Sequence, residues 1–345
     1  MKIERRKTRA VEIGNLKIGN GNLIAVQTMT KCDSRDFTKL KTEVLKLQKC
    51  GAEILRIAIP DFSAAENFAK VCKISKIPLV ADIHFSGDLA LFCAENGAAK
   101  IRINPGNFPR EFLKKLVKIC KKNSVAIRVG ANSGSLKFQN GKTFAEKLAN
   151  SVLQNCEFLT HENFDQIVVA AKSSDILTNF AANEILAKKC DFPIHIGITE
   201  SGFGENGIVK SAAGISPILK NGIGDTVRIS LSDDSEKEIE IARAILQNLK
   251  LRKFSREFIS CPTCGRTEIN LKKVAREVFA ATKNFNPNLK IAVMGCVVNG
   301  PGEAASADFA LVGGRKFFAI YARGEFVKKV DEKNAAAEFL KICEK

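Results

Sequence analysis

Eight times in the first 250 residues, a short run of apolar, mostly β-branched residues is followed by a segment of helical period. The runs are LIAVQTM (23–29), EILRIAI (53–59), PLVADIH (78–84), KIRINP (100–105), VAIRVGA (125–131), QIVVAAK (166–172), PIHIGIT (193–199) and DTVRISL (225–231). Runs without polar alternation belong in a parallel sheet covered on both faces. Amphipathic segments such as TKLKTEVLKLQKCG (38–51), which ends on a glycine, supply the covering helices. Eight such units over about 250 residues match a closed (β/α)8 barrel of the TIM type. An open doubly wound sheet uses the same units, but no G-x-G-x-x-G follows the first strand. At LRKFSREFIS (251–260) the character changes to a basic connector. Beyond it come a cysteine loop, a helix over about 268–283, the strand KIAVMG, a second cysteine loop, a β-rich stretch (307–330) and a closing helix. The expectation is therefore α/β: a barrel in residues 1–250 and a smaller α+β domain in 251–345.

Barrels of this kind place their chemistry at the C-terminal ends of the strands, and those ends are heavily polar here. The second run holds Arg56, and the third ends Asp82-Ile83-His84. The fourth gives Arg102 and Asn104, then Pro105-Gly106-Asn107, and the fifth Arg128, then Asn132. The sixth ends on Lys172, the seventh is followed by Glu200, and the eighth holds Arg228 and Ser230. A buried charge is costly unless paired. Asp82 and Glu200 are too few to pair four arginines and a lysine, so the strand ends read as an anion pocket. Guanidinium forks suit phosphate oxygens. Lys210 and Ser211 stand where barrels often bind phosphate, or else simply start a helix. His195, mid-run, reads as a hydrogen-bonded core histidine, and His161 as a polar loop residue.

The net charge is +17, from 54 Lys and Arg against 37 Asp and Glu. Many lysines fall in segments such as EFLKKLVKICKK, at spacings suited to the solvent face of a helix. No aromatic-interleaved basic patch occurs, so surface lysine is preferred over nucleic-acid binding. The N-terminus lacks an apolar signal core, and the apolar runs fall short of the roughly 20 residues of a membrane helix. The reading is cytoplasmic, with no membrane partner.

Eleven cysteines without a secretion signal argue against a disulfide framework. Cys50, Cys72, Cys93, Cys120, Cys156 and Cys190 lie singly in apolar or helical stretches and read as small buried hydrophobes. Cys261 and Cys264, in CPTCGR (261–266), and Cys296, in GCVVNGPGEA (295–304), lie instead among Gly and Pro. A closed structural zinc site wants four ligands, and the remaining thiol of the domain, Cys343, has the look of a core residue in a terminal helix. A [4Fe–4S] cubane accepts a different fourth ligand. Glu303, seven residues after Cys296, can bring a carboxylate oxygen to the last iron, a harder and more exchangeable ligand than thiolate.

The stretches VQTMT, ADIHF, RINPGN, VGANSGSL, HIGITESG, GIGDTVRISL, CPTCGRTEINL and GCVVNGPGEA, in that order along nearly the whole chain, resemble the bacterial 4-hydroxy-3-methylbut-2-enyl diphosphate synthases. The resemblance is to the two-domain form. It implies reductive ring opening and dehydration of 2-C-methyl-D-erythritol 2,4-cyclodiphosphate by a [4Fe–4S] enzyme of isoprenoid biosynthesis, with flavodoxin or ferredoxin as electron donor. Carried over by motif, Cys261, Cys264, Cys296 and Glu303 hold the cluster. Arg56, Arg102, Arg128, Asn132, Lys172 and Ser230 hold the diphosphate, with Asn104 and Arg228 beside them. Glu200 is the candidate acid, and Asp82 and His84 line the pocket. In ADIHFSGDLA this chain has Ser86 and Gly87 where the family carries a bulkier pair. A head-to-tail homodimer is also implied, each cluster domain serving its partner's barrel. The connector favours it: about ten residues reach at most about 36 Å, starting from the helix after the last strand, whose C-terminus lies at the far end of the barrel from the pocket.

Overall fold

The computed structural model describes residues 3–104, 108–109, 111–136 and 140–344. Pro105, Gly106 and Asn107, part of one sequence motif, lie outside these. The chain falls into two compact units, Met1–Arg252 and Lys253–Lys345.

The first unit opens with a hairpin, β1 (Val11–Ile13) and β2 (Leu16–Ile18). Strands and helices then alternate: β3 (Ala25–Met29), α1 (Phe37–Lys49), β4 (Ile54–Ala58), α2 (Phe62–Cys72), β5 (Leu79–Asp82), α3 (Gly87–Glu95), β6 (Lys100–Ile103) and α4 (Glu111–Asn123). The second half continues with β7 (Ala126–Asn132), α5 (Phe144–His161), β8 (Ile167–Lys172), α6 (Ile176–Lys189), β9 (His195–Ile196), α7 (Gly204–Lys220), β10 (Thr226–Val227) and α8 (Ser235–Asn248). The eight strands from β3 to β10 form one parallel sheet in the order β8-β7-β6-β5-β4-β3-β10-β9. The sheet closes on itself where Val169 pairs with Ile194, the residue before β9, and the Val169 N–H donates to the Pro193 carbonyl at 2.9 Å. This is the TIM-type barrel expected from the eight runs.

Local sequence explains how the units punctuate. Asp36, Asp61, Ser86 and Asp175 each accept a backbone N–H at the start of α1, α2, α3 and α6, and Thr143 forms a capping box with Glu146 on α5. Gly51 takes φ 93° just past α1, and a β-carbon there would also stand 1.8 Å from the Arg243 guanidinium. Gly87 serves packing: a β-carbon would stand 1.9 Å from the Phe112 ring. On α4, Leu113, Leu116, Val117 and Cys120 are buried while the lysines face solvent. Cys93, Cys120 and Cys156 are buried as expected, and Cys72 and Cys190 are half-buried. Cys50 differs, being exposed, because it caps α1 at the surface and not on the helix's buried stripe.

Two features differ from the sequence reading. The ladders of β9 and β10 are two residues long, giving way at Gly197 and Arg228, so the last two runs extend beyond their paired segments. The hairpin ahead of the first run has a structural task. Val11, Ile13 and Ile18, all fully buried, pack against Ala25, Ile54, Val80, Ala126 and Val168 near the N-terminal ends of the strands. They form the floor of the barrel.

The second unit is a five-stranded sheet, β11 (Glu257–Ser260), β12 (Lys290–Met294), β13 (Phe309–Gly313), β14 (Phe317–Ala322) and β15 (Glu325–Asp331), in that spatial order. The first three strands are parallel and the last three antiparallel. Helices α9 (Leu271–Ala281), α10 (Gly300–Ala305) and α11 (Ala335–Cys343) complete it. Its main core joins Leu271, Val274 and Val278 of α9 to Val293, Leu311, Phe318 and Phe339. Cys343 packs against this core, and burial pushes its thiol up to about 12. Among the described residues, no helix of the chain is long and apolar enough to cross a membrane.

Because Ile18 is fully buried in the floor, Ile18→Ala should destabilise the barrel by about 2–5 kcal/mol. Denaturant unfolding followed by far-ultraviolet circular dichroism will show this as a lower midpoint of the barrel transition.

Candidate functional site

Parallel pairing puts the charged residues of adjacent strands level with one another. Arg102 on β6 is in register with Asp82 on β5 and Arg128 on β7, and Asn132 is in register with Lys172. A β-carbon at Gly130 would stand 3.5 Å from Arg128 Nε and 3.7 Å from Arg102 Nε, so both guanidinium stems converge on one point above β7. Opposite them, Gly197 leaves room for Lys172, whose Nζ would lie 2.8 Å from a β-carbon there.

Asp82 organises this group. Its carboxylate accepts from Arg102 Nη1 at 3.1 Å and lies 3.7 Å from Arg56 Nε and 3.8 Å from His84 Nε2. Burial pushes its pKa up, but Arg56, the His84 hydrogen bond, Arg102 and Arg128 together outweigh burial and hold it well below the usual carboxylate range. Arg56 also donates to Met29 Sδ at 2.9 Å, and Arg102 reaches the His84 ring. Arg228 is anchored from outside the sheet by Glu238 of α8, 3.8 Å away. Glu238 is fully buried, accepts from Thr28 Oγ1 at 2.8 Å and the Leu231 N–H at 3.1 Å, and is 3.1 Å from Lys31 Nζ.

Positive charge still exceeds negative. Arg128 is 2 % exposed, and its Nε and Nη1 have no hydrogen-bond partner among the described residues; nor do Arg102 Nε and Arg228 Nε. Buried donors are nearly always satisfied, so orphaned charged ones mark the place of an absent acceptor. Burial, then Arg128 and Arg228, push the Lys172 amine well below its usual value. Burial and Arg56 bring Arg228 down to about 10, with Glu238 and Asp82 opposing. His195 is fully buried, its Nδ1 2.7 Å from Thr226 Oγ1, and burial plus Lys172 and Arg128 keep its imidazole neutral.

Of the residues singled out in the sequence, Arg56, Asp82, His84, Arg102, Arg128, Lys172 and Arg228 form one linked set. Asn104 is buried just past β6, Asn132 is half-buried at the end of β7, and Ser230 is half-buried three residues beyond β10. Glu200 is exposed beyond β9 in left-handed backbone, φ 52°, unusual for a non-glycine residue and frequent at functional sites. Ser211 is turned inward and donates to the Gly207 carbonyl at 2.8 Å within α7, so it offers no anion site. His161 is exposed at the end of α5. A cavity of about 730 Å³ opens beside the set at the ends of β3 to β5, lined by Lys31, Ser34, Arg35, Asp82, His84 and Phe85 among others.

Three contributors escaped the sequence reading: Lys31, Glu238 and Lys100, the last fully buried inside the barrel. Glu238 had a signal, since it lies on the α8 stripe with Ser235, Ile239, Ala242 and Ile245. Lys31 and Lys100 had none, each being a lysine at a strand boundary.

In the second unit, parallel pairing of β11 with β12 brings the two cysteine loops to the same end of the sheet. Cys261 directly follows β11, its N–H donating to the Val293 carbonyl at 3.1 Å, and Cys296 is two residues beyond β12. Thr263, between Cys261 and Cys264, has φ 69°. Glu303 lies in the first turn of α10, which approaches β13 closely: a β-carbon at Gly300 would stand 2.2 Å from Val312. Backbone N–H groups of Val298 and Asn299, with Arg266, pull the Cys296 thiol below its usual pKa, favouring thiolate. Cys264 is exposed, and Cys261 and Cys296 are half-buried. Among the described residues, no three His, Cys, Asp or Glu side chains are gathered in a geometry that would hold a single metal ion. Three free thiols, one of them shifted toward thiolate, and the carboxylate of Glu303 on the helix that follows Cys296 are donors of the kinds a multi-iron cluster takes, its ligands binding separate irons.

The GcpE TIM-barrel domain matches residues 8–243, and the GcpE protein C-terminal domain matches residues 257–345. A protein of Hydrogenobaculum sp. named 4-hydroxy-3-methylbut-2-en-1-yl diphosphate synthase (flavodoxin) is 43% identical over 348 residues, covering 99% of this chain and 98% of its own. Proteins of the same name from Clostridium perfringens (42% identical, 99% of each chain) and Aquifex aeolicus (44%, 98% and 96%) are similar to it as well. Among solved structures, dihydropteroate synthase from Yersinia pestis superposes with a TM-score of 0.52 at 10% identity, over 70% of this chain and 98% of that one. The enzyme from Coxiella burnetii gives 0.52 at 11%, over 71% and 100%. At such identities the likeness concerns the fold alone. The two domain matches, with relatives aligned end to end at over 40% identity, establish that the chain belongs to the GcpE family.

Proposed function

We infer that the chain catalyses the reductive conversion of 2-C-methyl-D-erythritol 2,4-cyclodiphosphate to 4-hydroxy-3-methylbut-2-enyl diphosphate in isoprenoid biosynthesis. Its relatives bear the name of that synthase along their whole length. The observation that carries the reading physically is the buried cationic set with orphaned guanidinium donors, which wants a compact polyanion. The reaction takes two electrons and the accompanying protons, opens the cyclic diphosphate and expels one hydroxyl as water.

The barrel residues then have distinct tasks. Arg56, Arg102, Arg128, Lys172 and Arg228 hold the diphosphate, Asn104, Asn132 and Ser230 accept or donate at its edge, and His84 lines the pocket. Asp82 stays ionised among its arginines and fixes the guanidinium planes before substrate arrives, so little reorganisation is left for the reaction. Glu200, exposed beyond β9 in left-handed backbone, is the residue we propose to give the proton that leaves with the hydroxyl. Cys261, Cys264, Cys296 and Glu303 would hold a [4Fe–4S] cluster. When bound, that group supplies electrons one at a time and an iron with an exchangeable oxygen ligand. Flavodoxin, which forms part of the relatives' names, is the electron donor we propose, with ferredoxin as the other small donor of the same kind. The assembly proposed is a head-to-tail homodimer in which each cluster domain serves its partner's barrel.

Three measurements test this reading. Arg128→Ala should weaken substrate binding by roughly 1.5–3 kcal/mol, the range for a charge-assisted hydrogen bond. Arg128→Lys should recover part of this, since it restores the charge and not the fork. An unchanged Michaelis constant in both folded variants would remove Arg128 from the pocket. Glu303→Ala should keep its iron and sulfide content while losing most turnover, whereas Cys296→Ser should lose cluster, as read by iron and sulfide analysis. Finally, mixing Arg128→Ala with Cys296→Ser protomers should restore about one working site per heterodimer, one intact barrel meeting one intact cluster across the two-fold axis. Heterodimers that form and stay inactive would place the whole site within one chain.

A further inference from the structure

Lys100 opens β6 and is 0 % exposed. It is in register with Val80 and Ala126, both of which pack on the floor hairpin, so it stands below the Arg102–Arg128 level. The partner its amine finds is the side-chain oxygen of Gln27 on β3, at 3.4 Å. An ammonium brings three protons and a full charge and is stable when buried only beside a carboxylate.

The surroundings offer mainly more cations. Arg56 faces the barrel interior from β4, Asp82 from β5, Arg102 from β6 itself, Arg128 from β7, Lys172 from β8, His195 from β9 and Arg228 from β10, with Glu238 behind β10 on α8. Asp82 is engaged by Arg102 and Arg56, and Glu238 by Arg228 and Lys31. Among the described residues, seven cationic side chains, Lys31 included, thus share two carboxylates. Guanidinium groups keep their protons, while a buried lysine releases its own readily. The charge excess of the empty barrel is therefore relieved at the lysines, and burial, then Arg128 and Arg56, push Lys100 well below its ordinary value.

We infer that Lys100 is a charge-adjusting residue beneath the substrate pocket, neutral in the empty barrel and protonated when a diphosphate binds above it. The proton comes from solvent as the two negative charges of the ligand enter, so binding and protonation are one linked equilibrium. Lys100 need not touch the ligand, since the charge of a diphosphate in a low-dielectric barrel acts over the intervening distance. The inference rests on the diphosphate reading of the site.

The test uses the oxidised holoenzyme without reductant and the cyclic diphosphate itself. That ligand has one strongly acidic oxygen on each phosphorus and brings no proton of its own near neutral pH. Calorimetric titration at one pH in buffers of different ionisation heat gives the protons taken up. Wild type should take up more protons than Lys100→Met by about one, with its Kd rising about tenfold per pH unit for each proton linked. Lys100→Met should bind more weakly near neutral pH and with a flatter pH profile. Lys100→Gln supplies a second neutral side chain should the first fail to fold, and the wild-type measurement stands by itself. Binding to wild type with no proton uptake, or an uptake that the neutral variants share in full, overturns the inference and leaves the pocket intact. No binding heat at all overturns the diphosphate reading, and this inference with it.

Discussion

Putting six basic side chains inside one β-barrel with two carboxylates is an electrostatic burden that the rest of the first unit must carry. Each such charge gives up hydration that only a partner in the interior can replace. The fold distributes the partners accordingly: Asp82 within the sheet holds Arg102 and Arg56, and Glu238 reaches in from α8 to hold Arg228 and Lys31. The closed apolar floor and the tightly packed helices supply the stability against which this arrangement is held. Donors left unmatched are oriented in advance, the condition under which electrostatic stabilisation needs no rearrangement during a reaction.

Much of this was legible in the sequence because strand periodicity and residue type carry it directly. The eight runs carried the barrel, and arginines inside runs covered on both faces had to be buried, toward the barrel axis or the helix layer. The two cysteine loops were legible for a different reason, since Gly and Pro around thiols are poor core material. What stayed hidden depends on contacts between distant segments. Nothing in the helical stretch around Glu238 names Thr28, Lys31 and Arg228, its partners on other elements, although its stripe neighbours are buried. The stretch around Lys100 is equally silent, because nothing local distinguishes a lysine facing solvent from one facing the barrel axis. The hairpin at Val11–Ile18 is too short to give a strong period, and only the floor it fills explains its apolar residues.

The second unit shows the same division between local and distant information. Its cysteine loops are about thirty residues apart in sequence, and the parallel pairing of β11 with β12 brings them to one end of the sheet. Arg266 and the backbone around Val298 and Asn299 then act on Cys296, an effect that needs the folded loop and appears in no motif. The same loop holds Gly300, whose lack of a side chain lets α10 settle against Val312 and bring Glu303 with it.

The floor hairpin has one more consequence. With Val11, Ile13 and Ile18 packed across the strand starts, apolar side chains close the N-terminal end of the barrel, while Asp82, Arg102 and Arg128 stand level with one another toward the other end. Each strand thus serves two purposes along its length: cohesion where it begins and charge where it ends.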